Sequence, residues 1–267
     1  MKKVLSNEIK KHSLYWQSSG KGQALVLLHG WGMNGAVWQQ TVAQLSEYFC
    51  VHVVDLPGFG HSNMTSFSSI EDLANQVLEH APRQAIWLGW SLGGLIATHI
   101  ALKAPQRVDA LITVASSPKF AAEGKWRGIQ PAVLDTFKQQ LLGDFTLTIE
   151  RFMALQAMGS PSAKSDIKTL KQAVLSRPTP NPEALMSGLD ILATVDYRQD
   201  LKQLTIPMLR LYGRLDGLVP RKVAPDVDIL TTESTSLIFQ ASSHAPFITE
   251  ADLFSQKIIE FANQSLK

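Results

Sequence analysis

Ile86-Trp87-Leu88-Gly89-Trp90-Ser91-Leu92-Gly93-Gly94 is the stretch on which the fold turns. The apolar run Ala85–Trp90 reads as a buried strand and Leu92–Lys103 as a helix, with Gly-x-Ser-x-Gly at the joint between them. A turn that tight needs small neighbours. It pushes the Ser91 hydroxyl to the carboxyl edge of a sheet, at the positive end of the following helix, where a developing oxyanion is favoured. A glycine-rich structural turn is the plain alternative. The strand before Ser91 and the helix after it favour a nucleophile.

Working outward, Leu14-Tyr15-Trp16, Ala24–Leu28 and 51–54 read as strands, Ile70–His80 as a helix and 110–115 as a strand. This βαβ alternation predicts an α/β fold with a mostly parallel sheet covered by helices on both faces. From about Pro118 to Asp200 no strand is legible. Helical stretches at 144–158 and 162–175 are broken by Arg177-Pro178-Thr179-Pro180-Asn181-Pro182. Strand signals resume at 208–212 and 236–239, and 251–263 closes the chain as a helix. The expected organisation is one core, 12–117 with 201–267, interrupted by a helical lid at 118–200. Residues 1–11 are polar and expected to fray.

Composition narrows the function. Among 267 residues, 25 Lys+Arg against 23 Asp+Glu leave a formal charge of +2, which argues against nucleic-acid binding driven by bulk charge. The one cysteine, Cys50, excludes a disulfide framework and a cysteine-based zinc site, and reads as a buried, inert thiol. No apolar run approaches the ~20 residues of a membrane span, and the N-terminus lacks the apolar stretch of a signal peptide. A cytosolic protein, monomeric and free of metal and cofactor, is expected.

A serine hydroxyl needs a base, and the base needs an orienting carboxylate. Of seven histidines, His12 falls on the N-terminal strand, His52 on a buried strand, His80 at a helix end and His99 two turns beyond Ser91. His61 follows Pro57-Gly58-Phe59-Gly60 but precedes the serine. His244, in the loop Ala241-Ser242-Ser243-His244-Ala245-Pro246-Phe247, remains as the base; a merely hydrogen-bonded loop histidine is the alternative. Asp216 lies just beyond the strand at 208–212 and before a helix start at Pro220, whereas Asp226 and Asp228 read as solvated surface. Val26-Leu27-Leu28-His29-Gly30-Trp31-Gly32 is a strand ending in a loop whose glycines let a backbone N–H face the reacting oxygen. The Trp31 and Leu92 amides are the expected oxyanion donors, and His29 braces the loop. Asp55-Leu56-Pro57-Gly58-Phe59-Gly60-His61-Ser62 leaves a strand at the same edge and shapes the site.

These segments resemble an α/β-hydrolase, whose triad runs in the order Ser91, Asp216, His244. More narrowly, the chain from about Leu14 onward resembles the pimeloyl-acyl-carrier-protein methyl ester carboxylesterases of biotin synthesis. The match includes Leu27-Leu28-His29-Gly30-Trp31-Gly32, the stretch around Ser91, Glu150-Arg151-Phe152-Met153-Ala154-Leu155-Gln156, Asp216-Gly217-Leu218-Val219-Pro220 and His244-Ala245-Pro246-Phe247-Ile248. The resemblance implies a serine carboxylesterase cleaving the methyl ester of a pimeloyl chain on acyl carrier protein. It also implies acyl-chain contacts from Trp31, Ser91, Leu92, Phe152, Met153, Ala154, Leu155, Gln156 and His244.

Along 144–158, Phe145, Ile149, Phe152 and Met153 share one helix side, as a core-packing stripe would. Lys164, Lys168 and Lys171, at i, i+4 and i+7, form a basic face with Arg151 on the neighbouring helix. Composition alone reads this as a solvated face; the resemblance turns it into a dock for an acidic carrier protein. Where the family has arginines, lysines keep the charge but lose the bidentate fork. A general short-chain esterase or C–C hydrolase, and a non-enzymatic receptor using the same pocket, remain the rival readings.

Overall fold

Runs such as Ala24–Leu28 and Ala85–Trp90 carry no polar face because both sides of their sheet are covered, a property of parallel strands. A computed structural model describes residues 14–231 and 234–265, apart from the side chains of Phe145 and Thr146. The stretch 1–11 and His12 lie outside the described residues. In chain order the elements are β1 (Trp16–Ser19), β2 (Ala24–Leu28), α1 (Gln39–Leu45), β3 (Cys50–Val54), α2 (Ile70–His80), β4 (Ala85–Trp90), α3 (Leu92–Lys103) and β5 (Val108–Val114). Then come α4 (Pro131–Gly143), α5 (Phe145–Ala157), α6 (Ala163–Leu175), α7 (Pro182–Thr194), β6 (Met208–Gly213), α8 (Val223–Asp228), β7 (Ser234–Phe239), α9 (Pro246–Thr249) and α10 (Ala251–Ser265).

The α/β expectation holds. Among the described residues seven strands form one sheet in the order β1-β3-β2-β4-β5-β6-β7. Of these seven, β1 runs antiparallel, against β3, and the other pairings among them are parallel. β4 sits at the centre, and α3 behind it is buried from Leu92 to Ala101, the signature of a helix apolar all round. Among the described residues no helix is long and apolar enough to cross a membrane.

Between β5 and β6 the chain forms four α-helices, a short 3-10 helix at Asp200–Gln203 and two isolated bridges. Local chemistry starts the helices: Pro131 and Pro182 occupy first-turn positions of α4 and α7, where a missing N–H costs nothing. The Asp144 and Asn181 side chains cap α5 and α7 by accepting from the N–H groups of Leu147 and Glu183.

Several expectations need correcting. The first strand is Trp16–Ser19, not 14–16; it is an exposed edge strand whose Gln17, Ser18 and Ser19 carry no apolar signal. Cys50 is half-buried at the start of β3, not fully enclosed. Pro182, read as part of a break, opens a helix. Asp228 is exposed but ion-paired to the fully buried Arg210, which also donates to the Ala224 carbonyl at 3.1 Å. Asp226 pairs with Arg127 at 2.9 Å.

Candidate active site

Ser91 sits where β4 becomes α3, with φ +55° and ψ −117°, a conformation that a non-glycine residue holds only at a cost. The surroundings fix it there. Its N–H donates to the Val114 carbonyl at 2.9 Å, and its carbonyl accepts from Ser116 Oγ at 2.8 Å. The flanking glycines are required by contact: a Cβ on Gly89 would lie 2.1 Å from the Gly93 carbonyl oxygen, and one on Gly93 2.4 Å from that of Leu28.

Asp216 leaves the end of β6, and His244 stands in the loop after β7. Asp216 Oδ2 lies 2.7 Å from His244 Nδ1, while its Oδ1 accepts from the N–H groups of Leu218 at 2.8 Å and Val219 at 3.0 Å. An anchored carboxylate can only accept, so Nδ1 carries the proton and Nε2 presents its lone pair. Among the described residues that Nε2 has no hydrogen-bond partner and is buried. The His244 backbone is held from two sides: its N–H donates to the Gln156 carbonyl at 3.0 Å, and its carbonyl accepts from Trp90 Nε1 at 2.7 Å. Ser91, Asp216 and His244 are 3%, 6% and 0% exposed, so all three are buried.

Leu92 opens α3, and its N–H is one of the first-turn donors that no intrahelical carbonyl satisfies. The Trp31 N–H finds no acceptor among the described residues, whereas its indole donates to the Leu185 carbonyl at 2.8 Å. His29 braces this loop: Nε2 accepts from the Leu56 N–H at 3.0 Å, which leaves Nδ1 to donate to the Gly30 carbonyl at 2.8 Å. Burial pushes its pKa down to about 4, against the pull of Asp55.

Along α5 the helical period divides the expected acyl contacts. Ile149, Phe152, Met153 and Gln156 are buried, and the Phe152 ring packs edge-on against Trp31 at 4.8 Å. The Gln156 Oε1 atom is buried without a partner among the described residues. Ala154 does not fit its expected role. It is exposed and, with half-buried Leu155, lines an outer groove of about 470 Å³ together with Arg151 and Met158. Five consecutive helical residues cannot all face one pocket. Phe145 lies outside the described side chains.

Arg151, Lys164, Lys168 and Lys171 are all exposed. Lys171 is ion-paired with Glu150 at 2.5 Å, which removes part of its charge from the face. The other histidines are engaged elsewhere: His52 with Trp16 and Ser18, His99 with the Tyr197 hydroxyl at 2.6 Å, and His80 with the Leu14 N–H. His61 is exposed, its ring against Tyr15. Among the described residues no three His, Cys, Asp or Glu side chains gather as a metal site would require.

Two contacts that the sequence reading missed tie the helical segment to the rest of the fold, one at the end of β3 and one at α9. Arg177 Nη1 meets the buried Asp55 carboxylate at 2.5 Å, and Asp166 accepts from Thr249 Oγ1 at 3.0 Å. The basic residue inside the proline-rich break was the available signal for the first; the second has no local pattern.

A family model described as the alpha/beta hydrolase fold matches residues 23–251. A protein of Vibrio cholerae named pimeloyl-[acyl-carrier protein] methyl ester esterase is 65% identical over 252 residues, covering 94% of this chain and 99% of that one. A Vibrio parahaemolyticus protein of the same name is 66% identical over 250 residues, covering 94% and 98%. Among solved structures, an esterase from Exiguobacterium antarcticum superposes with a TM-score of 0.83 at 21% identity, covering 94% of this chain and 95% of that one. An enol-lactonase from Burkholderia xenovorans does so with 0.82 at 18%, covering 94% and 96%. At such identities the superpositions speak for the fold alone.

Proposed function

The chain belongs to the alpha/beta hydrolase fold family and, within it, to the pimeloyl-[acyl-carrier protein] methyl ester esterases, and we propose that Ser91, His244 and Asp216 carry out that hydrolysis in biotin synthesis. The observation that carries the reading is the buried His244, held by Asp216 on one nitrogen and, among the described residues, without a partner on the other, its carbonyl bonded to the indole of Trp90, the residue before Ser91 at its strained turn.

Ser91 Oγ attacks the methyl ester carbonyl as His244 Nε2 takes its proton, and Asp216 stabilises the imidazolium that forms. The negative charge on the carbonyl oxygen is met by the Trp31 and Leu92 amides. Collapse of the tetrahedral intermediate breaks the bond to the methoxy group, which leaves as methanol with the proton from His244. Water, deprotonated by the same nitrogen, then attacks the acyl-serine and releases the free carboxylate, still attached to its carrier.

Residues 118–200 act as the lid over a core formed by 12–117 and 201–267. Trp31, Phe152, Met153 and Gln156 line the acyl path. Arg151, Lys164 and Lys168, helped by Lys171, receive an acidic carrier protein. The enzyme works as a cytoplasmic monomer and engages neither membrane nor nucleic acid.

Methanol release from methyl pimeloyl-carrier protein, set against hydrolysis of a free short-chain ester, tests the assignment. Ser91→Ala is expected to remove almost all turnover without loss of fold, and Asp216→Asn to slow it on the order of 10⁴-fold. Faster turnover of the free ester than of the carrier-bound one would instead favour a general esterase. A folded Ser91→Ala protein with the wild-type rate would falsify the mechanism.

A further inference from the structure

We propose that Asp166 is a positioning residue for the general base, acting through Thr249 to hold the loop that carries His244. The inference rests on the reading of His244 as that base.

Asp166 lies in the first turn of α6 and is only 4% exposed. A carboxylate buried this far ordinarily demands a cation, because desolvation costs several kcal/mol. Among the described residues Asp166 has none within ion-pair reach. It takes three hydroxyls instead: Ser160 Oγ at 2.7 Å and Thr249 Oγ1 at 3.0 Å on one oxygen, and Ser162 Oγ at 2.9 Å on the other. The amino end of α6 adds partial positive charge. Only an acceptor-only group can receive three O–H donors together; an amide presents one oxygen and would turn its NH₂ toward hydroxyls already oriented to donate.

The third hydroxyl joins the cluster to a second element. Thr249 ends α9, the short helix that begins at Pro246 immediately after His244-Ala245. The base of this loop is closed within the core, where Glu250 Oε2 accepts from the Ala241 N–H at 3.0 Å and from Ser242 Oγ at 2.5 Å. Its tip is held by the lid on both sides of the base. Before His244, Ser243 Oγ donates to the Met158 carbonyl at 3.0 Å; at His244 itself the N–H donates to the Gln156 carbonyl. After it, Thr249 is drawn to Asp166. The α5–α6 corner is therefore part of the frame of the catalytic loop. A misplacement of the base near 1 Å is enough to slow such chemistry roughly 100-fold.

The test compares Thr249→Val, which keeps the shape and removes the hydroxyl, with Asp166→Asn and with the conservative Thr249→Ser. Each is measured for kcat and KM on a small free methyl ester, for the rate of Ser91 labelling by a fluorophosphonate, and for Tm. Thr249→Val and Asp166→Asn are expected to lower kcat and the labelling rate together, by roughly 10- to 100-fold, with KM nearly unchanged. Thr249→Ser is expected to restore both, and the double variant to lose no more than the worse single one, since both changes break one coupled contact. A folded Thr249→Val protein with wild-type kcat and labelling rate overturns the proposal. So does a fall in Tm with kcat per folded molecule intact, which is what a merely structural tie would give. Wild-type protein that neither takes the label nor hydrolyses the ester overturns the reading of the base itself, and this inference with it.

Discussion

His29 and His244 are both fully buried, yet their partners separate their roles. His244 has a carboxylate on Nδ1 and an open Nε2, whereas both His29 nitrogens are committed to backbone groups. Burial is the main cause of the His29 pKa falling to about 4. In the unfolded chain a histidine titrates near 6.5, so between about 4 and 6.5 the unfolded state binds more protons than the folded one. Stability then rises with pH across that window, is complete above it, and is lost as the medium is acidified through it. The loss is on the order of 3 kcal/mol by linkage. Thermal unfolding followed from pH 7 to pH 4 should show this decline, and His29→Gln should flatten it; equal slopes for both proteins would remove His29 from the account. At this scale the sequence was informative wherever a residue ends a strand. Ser91, Asp216 and His244 each leave the carboxyl edge of a parallel strand, and strand ends are visible as apolar runs. Asp166 and Thr249 are 83 positions apart and meet only through the packing of α6 on α9, which no local pattern encodes.

Among the elements, α5 shows how far periodicity reaches. Its apolar stripe gave the buried side, Ile149, Phe152 and Met153, and the same period placed Ala154 outside, although a contiguous motif had grouped it with the pocket. Edge strand β1 was misplaced because exposed strands carry little apolar signal, and α7 was hidden behind the prolines that in fact start it. The helical segment between β5 and β6 is joined to the rest of the fold by charge as well as by chain. Lys119, Glu123, Asp196 and Arg198 form one ion-paired cluster where the chain leaves β5 and returns toward β6. Farther out, Arg177 reaches Asp55, whose carboxylate also accepts from the Gly35 and His61 N–H groups at 2.7 and 2.8 Å. Arg177→Met would leave a buried carboxylate without its cation. Denaturant unfolding should register a loss of about 3 kcal/mol, the lower end of the range for breaking a buried pair, because two N–H donors remain. An unchanged midpoint would mean that Asp55 is satisfied by its backbone donors alone.

Over the whole molecule the charges nearly cancel, at +2, so any attraction for an acidic partner must come from their distribution. The alternation of strands and helices was enough to read the sheet and the interruption within it, because those patterns are repeated along the chain. A docking face leaves no such trace: Lys164, Lys168 and Lys171 look the same in sequence whether they meet solvent or a partner. The structure differentiates them, since Lys171 is paired with Glu150 while Lys164 and Lys168 have no ion pair among the described residues. If these two guide the carrier, their charge acts during encounter and not in the chemistry at Ser91. Reversal of both to Glu should therefore lower kcat/KM for methyl pimeloyl-carrier protein, by roughly tenfold if k_on alone changes, and leave a small free methyl ester unaffected. Added salt should weaken the wild-type enzyme selectively on the carrier-bound substrate, because exposed charges more than about 8–10 Å apart are screened at physiological ionic strength. Lys171→Glu should have the smaller effect, its charge being already offset by Glu150. Equal losses on both substrates would indicate damage to α6 itself. No loss on either would return the lysines to a solvated face, and place carrier recognition elsewhere on the molecule.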